Sequence, residues 1–287
     1  MHIAFIGLGT MGYPMAGHLA KSNCTLSVYN RTLAKALTWQ QQHHGMIATT
    51  VHDAVKDADF IISCIGNDLD IDDIAHKKDG ILSTAKKGAI WIDHTTASAE
   101  IAQKMAQAMR ENHGFFIDAP VSGGQQGAEK GCLTIMCGGE PAAFDQAKPI
   151  LSHYARMVTL MGPAGHGQLT KMVNQICAAG LIQALAEGIA FAQSSGLNPE
   201  KVIEVISKGA AQSWQMENRS QTMIAGHYEH GFAVEWMRKD LGLCLTEAKK
   251  NGVTLPVTAL VDQFYAEVEN MGGKRWDTSS LLARMLK

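Results

Sequence analysis

The amino-acid sequence predicts a doubly wound α/β fold with a mainly parallel sheet, followed by an all-helical C-terminal domain. Through the amino-terminal part, apolar runs typical of buried strands alternate with helical segments, which implies a parallel sheet. After Gly162-Pro163 this alternation stops and a long helical stretch, residues 168–195, begins. The length of 287 residues is also that of about two domains. We therefore expect a first domain over residues 1–163 and a second over residues 164–287, joined through the long helix.

Short apolar runs mark the strands, and apolar residues at helical spacing mark the helices. Strands are predicted at residues 2–6, 25–29, 59–65, 89–93, 115–118, 133–137 and 157–161. Helices are predicted at residues 12–22, 99–111, 141–153, 168–195, 199–208, 214–225, 237–251 and 256–271. Strand alternation is weak after residue 163, so the second domain is expected to contain helices alone.

The charge balance excludes several classes of partner. Twenty-five Lys and Arg residues face 27 Asp and Glu residues, whereas proteins that bind nucleic acid or anionic membranes usually carry a basic excess. No uninterrupted apolar run reaches the ~18 residues of a membrane span, and the first residues lack the regions of a signal peptide. Six scattered cysteines without a C-x-x-C pair are typical of reduced thiols. We expect a cytoplasmic protein with no nucleic-acid and no membrane partner.

A G-x-G-x-x-G motif follows the first predicted strand and opens a helix. It consists of Gly7, Leu8, Gly9, Thr10, Met11 and Gly12. In this context the first glycine allows a tight turn, the second lets a pyrophosphate approach the backbone, and the third lets helix and strand pack closely. The helix N-terminus adds N–H donors for the anion. The motif predicts a Rossmann-type dinucleotide-binding domain, with a purely structural turn as the alternative.

The end of the second strand bears on which dinucleotide binds. Proteins that bind NAD usually place Asp or Glu there to hold the ribose 2′-hydroxyl. This sequence has Asn30, Arg31 and Thr32 instead, and a guanidinium can pair with a 2′-phosphate. Thr32 could both cap the next helix and contact the phosphate. The pattern favours NADP(H), with NAD(H) as the alternative cofactor, although the same three residue types also occur in simple turns.

Two further segments carry polar groups. Ser122, Gly123 and Gly124 follow a strand at the carboxyl edge of the sheet, where a hydroxyl and exposed backbone N–H groups could hold a carboxylate. A glycine-rich loop without a ligand is an equal alternative.

Lys171 and Asn174 lie three residues apart on one face of the long helix. Burial in this largely apolar helix would suit the lysine to proton transfer, and a solvated surface lysine is the alternative.

In these blocks the sequence resembles the β-hydroxyacid dehydrogenase family, which includes 3-hydroxyisobutyrate dehydrogenase, tartronate semialdehyde reductase and glyoxylate/succinic semialdehyde reductase. The resemblance lies in residues 5–15, 118–124, 165–174 and 239–242, in family order along nearly the whole chain. It departs at Gln175, where many relatives carry a second asparagine, and in residues 125–129 and 213–218. These departures leave the particular substrate open.

The resemblance implies roles for individual residues. Lys171 would be the catalytic acid or base, and Asn174 would orient the substrate. Ser122, Gly123 and Gly124 would hold the substrate carboxylate. Thr96 would lie near nicotinamide and substrate. The remaining cofactor contacts would come from the helical domain, through Phe232, Lys239 and Asp240.

The predicted function is hydride transfer between NADP(H) or NAD(H) and a small β-hydroxy acid or carboxylated semialdehyde. A non-catalytic NADP(H)-binding sensor is one alternative, although a sensor needs neither Lys171 nor Asn174. An imine reductase of the same fold is another, although those enzymes usually lack the lysine.

No H-E-x-x-H frame occurs, so no metal site is expected. The long helix, with apolar residues at Ile176, Leu181, Leu185 and Ile189, predicts a homodimer or homotetramer.

Overall fold

The computed structural model describes residues 1–285, which form two compact units. We call Met1–Lys171 the sheet unit and Met172–Lys287 the helical unit. The division between them falls inside the long helix, whose first turn stays with the sheet: Asp118, at the end of a strand, accepts hydrogen bonds from Gly165 N and Gln168 N. The boundary after residue 163 stays a prediction for the limits of the two domains.

The sheet unit contains one sheet, which has nine strands among the described residues. The first six strands are mutually parallel in the order β3-β2-β1-β4-β5-β6, and β8 then pairs antiparallel with β6. β7 also pairs antiparallel with β8, while β9 pairs parallel with it. This confirms the doubly wound, mainly parallel fold. The strands are β1 (His2–Ile6), β2 (Thr25–Tyr29), β3 (Met46–Ile47), β4 (Phe60–Ser63), β5 (Ile90–Asp93), β6 (Phe115–Asp118), β7 (Val121–Ser122), β8 (Leu133–Gly139) and β9 (Ala155–Gly162).

The helices alternate with these strands and then continue alone, as predicted. They are α1 (Gly12–Leu19), α2 (Leu33–Gln40), α3 (Val51–Val55), α4 (Asp68–His76), α5 (Ile81–Thr84), α6 (Ala99–Glu111), α7 (Gly124–Glu129), α8 (Pro141–Leu151), α9 (His166–Ser194), α10 (Pro199–Ile206), α11 (Trp214–Ile224), α12 (Val234–Asn251) and α13 (Pro256–Asn270). Two 3₁₀ turns follow, at Gly273–Arg275 and Thr278–Leu282. The helix expected after Thr32 is α2, whereas the sequence reading missed α3–α5, α7, β3 and β7, which are short elements.

Both faces of the parallel sheet are buried. Along β1, Ile3 and Phe5 belong to one apolar cluster, whereas Ala4 and Ile6 belong to a second. Helices cover each face, so the strands are mostly apolar along their length rather than only at alternate positions, with Ser27 of β2 as a buried polar exception that lies 2.8 Å from His2 of β1. Only the strand ends and the loops after them are left to carry polar chemistry.

The helical unit has an apolar core of its own, and α9 contributes one face to it. Leu185 and Ile189 are buried in this core. The prediction that these two residues face another molecule is therefore wrong. The large apolar side chains of α9 that are exposed are Leu181, which belongs to the predicted set, and Val173 and Phe191, which do not.

Among the described residues, α9 is the one helix that is long and apolar enough, by length and composition, to cross a membrane. Half of its most apolar window is buried inside the protein. The core helix of a soluble protein passes the same test, so length and hydropathy do not separate the two cases here.

Candidate functional site

The glycine-rich turn is held by close backbone contacts. Gly7 donates its N–H to the Tyr29 carbonyl at 2.9 Å and has a φ of +99°. A Cβ on Gly7 would lie 2.2 Å from the Cys64 oxygen, and one on Gly12 would lie 1.9 Å from the Gly7 oxygen. These two glycines are therefore required by the packing of the turn itself, as the motif predicts.

Gly9 differs from its two partners in the motif. A Cβ built there meets no atom of the described residues within 4 Å, so packing does not require a glycine. A cavity of about 650 Å³ borders Leu8, Gly9 and Thr10. The first turn of α1 has no acidic residue and no side-chain cap, so its partial positive charge is not offset locally. The turn thus fits the pyrophosphate of a dinucleotide.

Asn30 braces this turn from the end of β2. Its Oδ1 accepts from Leu8 N at 2.9 Å, and its Nδ2 donates to the Thr32 carbonyl at 2.9 Å. Thr32 occupies the position before α2, but its side chain makes no capping hydrogen bond, so that part of the prediction is wrong. Asn30 therefore fixes the shape of the region in which the ribose of a dinucleotide would lie.

Arg31 has a carboxylate partner that the sequence reading missed. The side chain is 88% exposed, and its Nη1 lies 3.4 Å from Oδ1 of Asp70 in α4. The carboxylate thus comes from α4 and not from the end of β2, where the sequence has none. An exposed ion pair of this kind contributes at most ~1 kcal/mol, so an arriving phosphate could compete for the guanidinium.

Two aspartates end neighbouring strands in register, Asp93 on β5 and Asp118 on β6. Oδ1 of Asp93 accepts from the Ser63 hydroxyl at 2.6 Å and from the Thr95 hydroxyl at 2.8 Å. Burial raises the pKa of Asp93 to about 7, against the opposing effect of these two hydrogen bonds. This carboxyl therefore changes its protonation near neutral pH.

His94 follows Asp93 and has a packing role. The ring lies 2.6 Å through Nδ1 from the Ala119 carbonyl and 2.8 Å through Nε2 from the Tyr154 hydroxyl. Since a carbonyl can only accept, Nδ1 carries the proton and Nε2 accepts from Tyr154. Burial lowers the pKa of His94 to about 4, so the ring is neutral and ties two loops of the sheet edge together.

Asp118 anchors the first turn of α9. It accepts from Gly165 N through Oδ1 and from Gln168 N through Oδ2, both at 2.8 Å. Burial raises the pKa of Asp118 to about 6, although these backbone N–H groups oppose the shift. A Cβ on Gly167 would lie 2.4 Å from the Met136 oxygen, so the backbone can approach β8 this closely only with a glycine here. The helix is thereby fixed against the sheet edge at its first residues.

Gln168 connects the same turn to Thr96. Its Oε1 accepts from Ala97 N at 3.0 Å, and its Nε2 donates to the Thr95 carbonyl at 2.7 Å. The two bonds bracket Thr96, which is partly buried. Sequence reasoning missed Gln168, although a glutamine directly after the G-x-G at residues 165–167 is a signal that could have been noticed.

Lys171 lies three residues after Gln168 on α9, and therefore on nearly the same face of the helix. It is only 7% exposed. This burial excludes the alternative of a solvated surface lysine. Because an ammonium group is costly to bury, the position requires a specific reason for a lysine, and proton transfer at a reacting centre is such a reason.

Ser122 and the two glycines after it form a tight, unusual backbone. Gly123 has a φ of +128° and Gly124 one of +62°, so both positions favour glycine. The segment that follows, where the sequence departs from the family pattern, is the helix α7. His18 of α1 lies 3.0 Å through Nε2 from two carbonyl oxygens at the end of α7. His18 therefore links α1 to the carboxyl end of α7.

In the helical unit, the predicted residues Asn174, Lys239 and Asp240 belong to one network. Asn174 Nδ2 donates to Gln175 Oε1 at 2.8 Å, and Gln175 Nε2 donates to Asp240 Oδ2 at 2.6 Å. Lys239 Nζ lies 3.3 Å from the other oxygen, Oδ1, of Asp240. Gln175 is buried and links α9 to α12, a role that the sequence reading missed.

Phe232 is held by a buried carboxylate. Its backbone N–H donates to Asp277 Oδ2 at 2.8 Å, and Oδ1 of the same group lies 3.3 Å from Nε of Arg219. Asp277 also accepts from Ser279 N at 3.0 Å. The carboxylate therefore fixes the segment that leads into α12, where Lys239 and Asp240 lie.

Within residues 1–285, no group of three or more His, Cys, Asp or Glu side chains is placed to hold a metal ion. What the site offers is a turn that fits a pyrophosphate, a backbone turn with N–H groups for an anion, and a buried amine.

Comparison with known proteins gives matches along nearly the whole chain. Residues 2–162 match a family profile described as the NAD binding domain of 6-phosphogluconate dehydrogenase. Residues 165–285 match one described as NAD-binding of NADP-dependent 3-hydroxyisobutyrate dehydrogenase. The two profiles meet close to the predicted boundary between the domains.

Individual proteins match over similar lengths. An uncharacterized oxidoreductase of Shewanella frigidimarina is 58% identical over 99% of this chain and 98% of its own. The 2-hydroxy-3-oxopropionate reductase of Escherichia coli is 32% identical over 98% of this chain and 96% of its own. The structure of Mycobacterium tuberculosis 3-hydroxyisobutyrate dehydrogenase with L-serine has a TM-score of 0.90 at 25% identity, covering 100% of this chain and 99% of that one.

Proposed function

The chain belongs to the β-hydroxyacid dehydrogenase family of NAD(P)-dependent oxidoreductases, and on that premise we propose that Lys171 is its general acid and base. The proposed reaction is hydride transfer between NADP(H) and a small β-hydroxy acid or carboxylated semialdehyde. The observation that carries the proposal is the burial of Lys171 on a helix turn anchored by Asp118 and Gln168.

The cofactor would be held mainly by the sheet unit. The turn from Gly7 to Gly12 would bind the pyrophosphate, with Asn30 bracing it, and Arg31 and Thr32 would bind a 2′-phosphate. Contacts nearer the nicotinamide would come from Thr96, Phe232, Lys239 and Asp240. When bound, the nicotinamide supplies or accepts the hydride. NADP(H) is the proposed cofactor because of the exposed Arg31 cation, and NAD(H) is the alternative.

The protein's own residues would position the substrate and move one proton. Ser122, Gly123 and Gly124 would bind the carboxylate, which fixes the neighbouring carbonyl carbon. In reduction, Lys171 would give a proton to the carbonyl oxygen, and in oxidation it would take one from the hydroxyl. Asn174, three residues further along α9, would orient the oxygen that gains or loses this proton.

The test is an activity screen with NADPH and with NADH against short aldehydes. The panel contains 2-hydroxy-3-oxopropionate and other aldehydes with a carboxylate, with the matching hydroxy acids run in reverse. Aldehydes of equal length without the carboxylate are the controls. We expect turnover of carboxylated aldehydes only, faster with NADPH. NADPH binding without turnover of any panel member would instead support the sensor alternative.

The homodimer or homotetramer expected from the sequence remains a proposal, now supported by Leu181 of the predicted set and by exposed apolar residues outside that set. Val173, Leu181 and Phe191 of α9 are exposed apolar side chains, and so are Val257 and Leu260 of α13. Light scattering should give a multiple of the 30.9 kDa chain mass. A mass equal to one chain at working concentration would contradict this proposal.

A further inference from the structure

A glutamine side chain attaches the segment after β5 to the first turn of α9. Gln168 is only 1% exposed, and it accepts from Ala97 N through Oε1 at 3.0 Å and donates to the Thr95 carbonyl through Nε2 at 2.7 Å. A carbonyl can only accept and an N–H can only donate, so these two partners fix the orientation of the amide. The backbone on both sides of Thr96 is therefore held by α9, and all of these residues belong to the sheet unit.

The backbone of Gln168 is fixed as well. Its N–H donates to Oδ2 of Asp118 at the end of β6, and Gly165 N donates to the other oxygen, both at 2.8 Å. A Cβ on Gly165 would lie 3.2 Å from the Ala99 oxygen, so the start of α9 also packs closely on the first turn of α6. With its backbone fixed in this way, the Gln168 side chain sets where residues 95–97 lie relative to α9.

We infer that Gln168 is a positioning residue, which holds residues 95–97 in a fixed place against the helix turn that carries Lys171. The inference rests on the proposed function and deepens it, because Thr96 and Lys171 are both proposed site residues. Lys171 lies three residues after Gln168 and so on nearly the same face of α9. One amide therefore fixes the backbone of these two site residues relative to each other, within the sheet unit.

The position requires the chemistry of glutamine rather than its volume. An ionised carboxylate can only accept and an ammonium or guanidinium can only donate, whereas the two partners here need one donor and one acceptor. Other contacts hold the ends of the same segment: Thr95 Oγ1 donates to Asp93 Oδ1 at 2.8 Å, and Ser98 N donates to Asp68 Oδ1 at 3.0 Å. Loss of Gln168 should therefore displace the middle of the segment and leave its ends in place.

The first test is Gln168→Met, which keeps the length of the side chain and removes both hydrogen bonds. We expect kcat to fall about 10–100-fold, the effect of a displacement of about 1 Å near a reacting centre, with the KM for NADPH changed less than about 2-fold. A residue that only stabilised the fold would lower the melting temperature and leave kcat per folded molecule unchanged. A folded variant with the kcat of the parent would overturn the inference.

The second test is Gln168→Glu, which has nearly the same shape. When protonated, the new carboxyl can donate to the Thr95 carbonyl and accept from Ala97 N, as the amide does. Burial favours this protonated form. When ionised, the group can only accept, so the bond to Thr95 is lost. We expect turnover near that of the parent at low pH and a fall as pH rises, along a titration that the parent and Gln168→Met both lack. A variant as slow as Gln168→Met at every pH would overturn the inference.

Hydrogen exchange shows whether this titration acts through the segment. The titratable groups that lie on the same segments, or are hydrogen-bonded to them, are also present in the parent: Asp68, Asp93, His94, Asp118, His166 and Lys171. An ionised carboxyl at position 168 could also pair directly with Lys171. Exchange of the Ala97 amide should therefore accelerate along the same titration as the loss of turnover. A loss of turnover with unchanged Ala97 exchange would assign the effect to direct pairing and overturn the inference.

Gln183→Glu is the matched control. Gln183 is another nearly buried glutamine of α9, and its Nε2 donates to Oε1 of Glu187 at 2.7 Å. The substitution places the same new carboxyl in the same helix, but in the helical unit. Turnover per folded molecule should follow the pH profile of the parent. If the control shows the added titration of Gln168→Glu, a new carboxyl in α9 acts without the segment and the inference is overturned.

A readout independent of activity separates this inference from the proposed function. Hydrogen exchange is measured by mass spectrometry on a peptide that spans residues 94–98. The Ala97 amide should exchange slowly in the parent and at least about 10-fold faster in Gln168→Met. Fast exchange in the parent would overturn the inference whatever the activity. Slow exchange in a protein that turns over no panel compound would support the attachment of the segment by Gln168 and overturn the proposed function.

Discussion

In the sheet unit the proposed site residues other than Lys171 lie at or just after the ends of strands, whereas in the helical unit they lie on helices and on the segment before α12. The first group is organised by backbone, as at Gly7, whose N–H bonds to the Tyr29 carbonyl. The second is organised by side chains far apart in sequence, as between Gln175 and Asp240. A backbone-built site tolerates changes around it, whereas a side-chain network depends on each member.

The buried carboxylates show the same contrast. Asp118 of the sheet unit accepts backbone N–H groups from the first turn of α9. Asp277 of the helical unit also accepts a backbone N–H, but it has an ion pair with the nearly buried Arg219 as well. Loss of the first carboxylate removes hydrogen bonds, while loss of the second also leaves a charge without its partner.

The largest expected effect concerns Lys171, the last residue of the sheet unit. Lys171→Ala should lower turnover by roughly 10²–10⁴-fold, because a general acid or base contributes that much. The melting temperature, measured by circular dichroism, shows whether the variant is folded. Lys208→Ala, at an exposed lysine of the helical unit, is the control and should leave turnover unchanged. A folded Lys171→Ala with normal turnover would remove the lysine from its proposed role.

The next effect is on stability and compares the two carboxylates directly. Asp277→Asn should lower the free energy of unfolding by ~3–5 kcal/mol, because Arg219 is left buried without a counter-charge. Asp118→Asn should cost only ~1–3 kcal/mol, since it leaves one backbone N–H facing a donor. Urea unfolding measures both. Equal losses of unfolding free energy in the two variants would show that the ion pair between Arg219 and Asp277 adds no stability, which would contradict the contrast between the two carboxylates.

The sequence predicts the backbone-built half of the site well. The strands His2–Ile6, Thr25–Tyr29 and Phe115–Asp118 have the bounds that their apolar runs indicate. Gly7 and Gly12 have the close contacts that the motif requires. These features depend on residues near in sequence, where spacing alone carries the information.

The side-chain partners could not be predicted in the same way. Asp70 meets Arg31, Asp277 meets Phe232, and Gln168 meets Thr95 across 39, 45 and 73 residues of sequence. A single polar residue at such a distance leaves no periodic signal in the sequence, so its partner is known only from the folded structure.

α7 was missed for a different reason. Its sequence GQQGAE is short and contains two glycines, which is typical of a loop.

The third prediction concerns pH and belongs to the sheet unit. Burial raises the pKa of Asp93 to about 7, so between pH 4 and 7 the folded protein holds a proton that the unfolded chain has released. The free energy of unfolding should therefore fall as pH rises through this window. Asp93→Asn removes the titration and should flatten this part of the stability curve.

His94 makes the opposite contribution and serves as the control. Burial lowers its pKa to about 4, so between pH 6.5 and 4 the unfolded chain binds the proton first and stability is lost as pH falls. His94→Gln should remove this loss and leave the contribution of Asp93 unchanged. Urea unfolding at several pH values between 4 and 8 checks both signs. A steeper fall toward neutral pH in Asp93→Asn would contradict the assignment.

The smallest effects are expected at the exposed edge of the sheet unit, where no partner is buried. Arg31→Ala should raise the KM for NADPH about 10-fold, the effect of one hydrogen bond to a charged group, and leave the KM for NADH nearly unchanged. Asp70→Asn releases Arg31 from its ion pair and should lower the KM for NADPH by only about 2-fold, since exposed pairs are weak. Both effects should shrink in high salt, because the charges lie in solvent. If Arg31→Ala raises both constants equally, the arginine does not read the 2′-phosphate, and the cofactor preference must come from elsewhere in the chain.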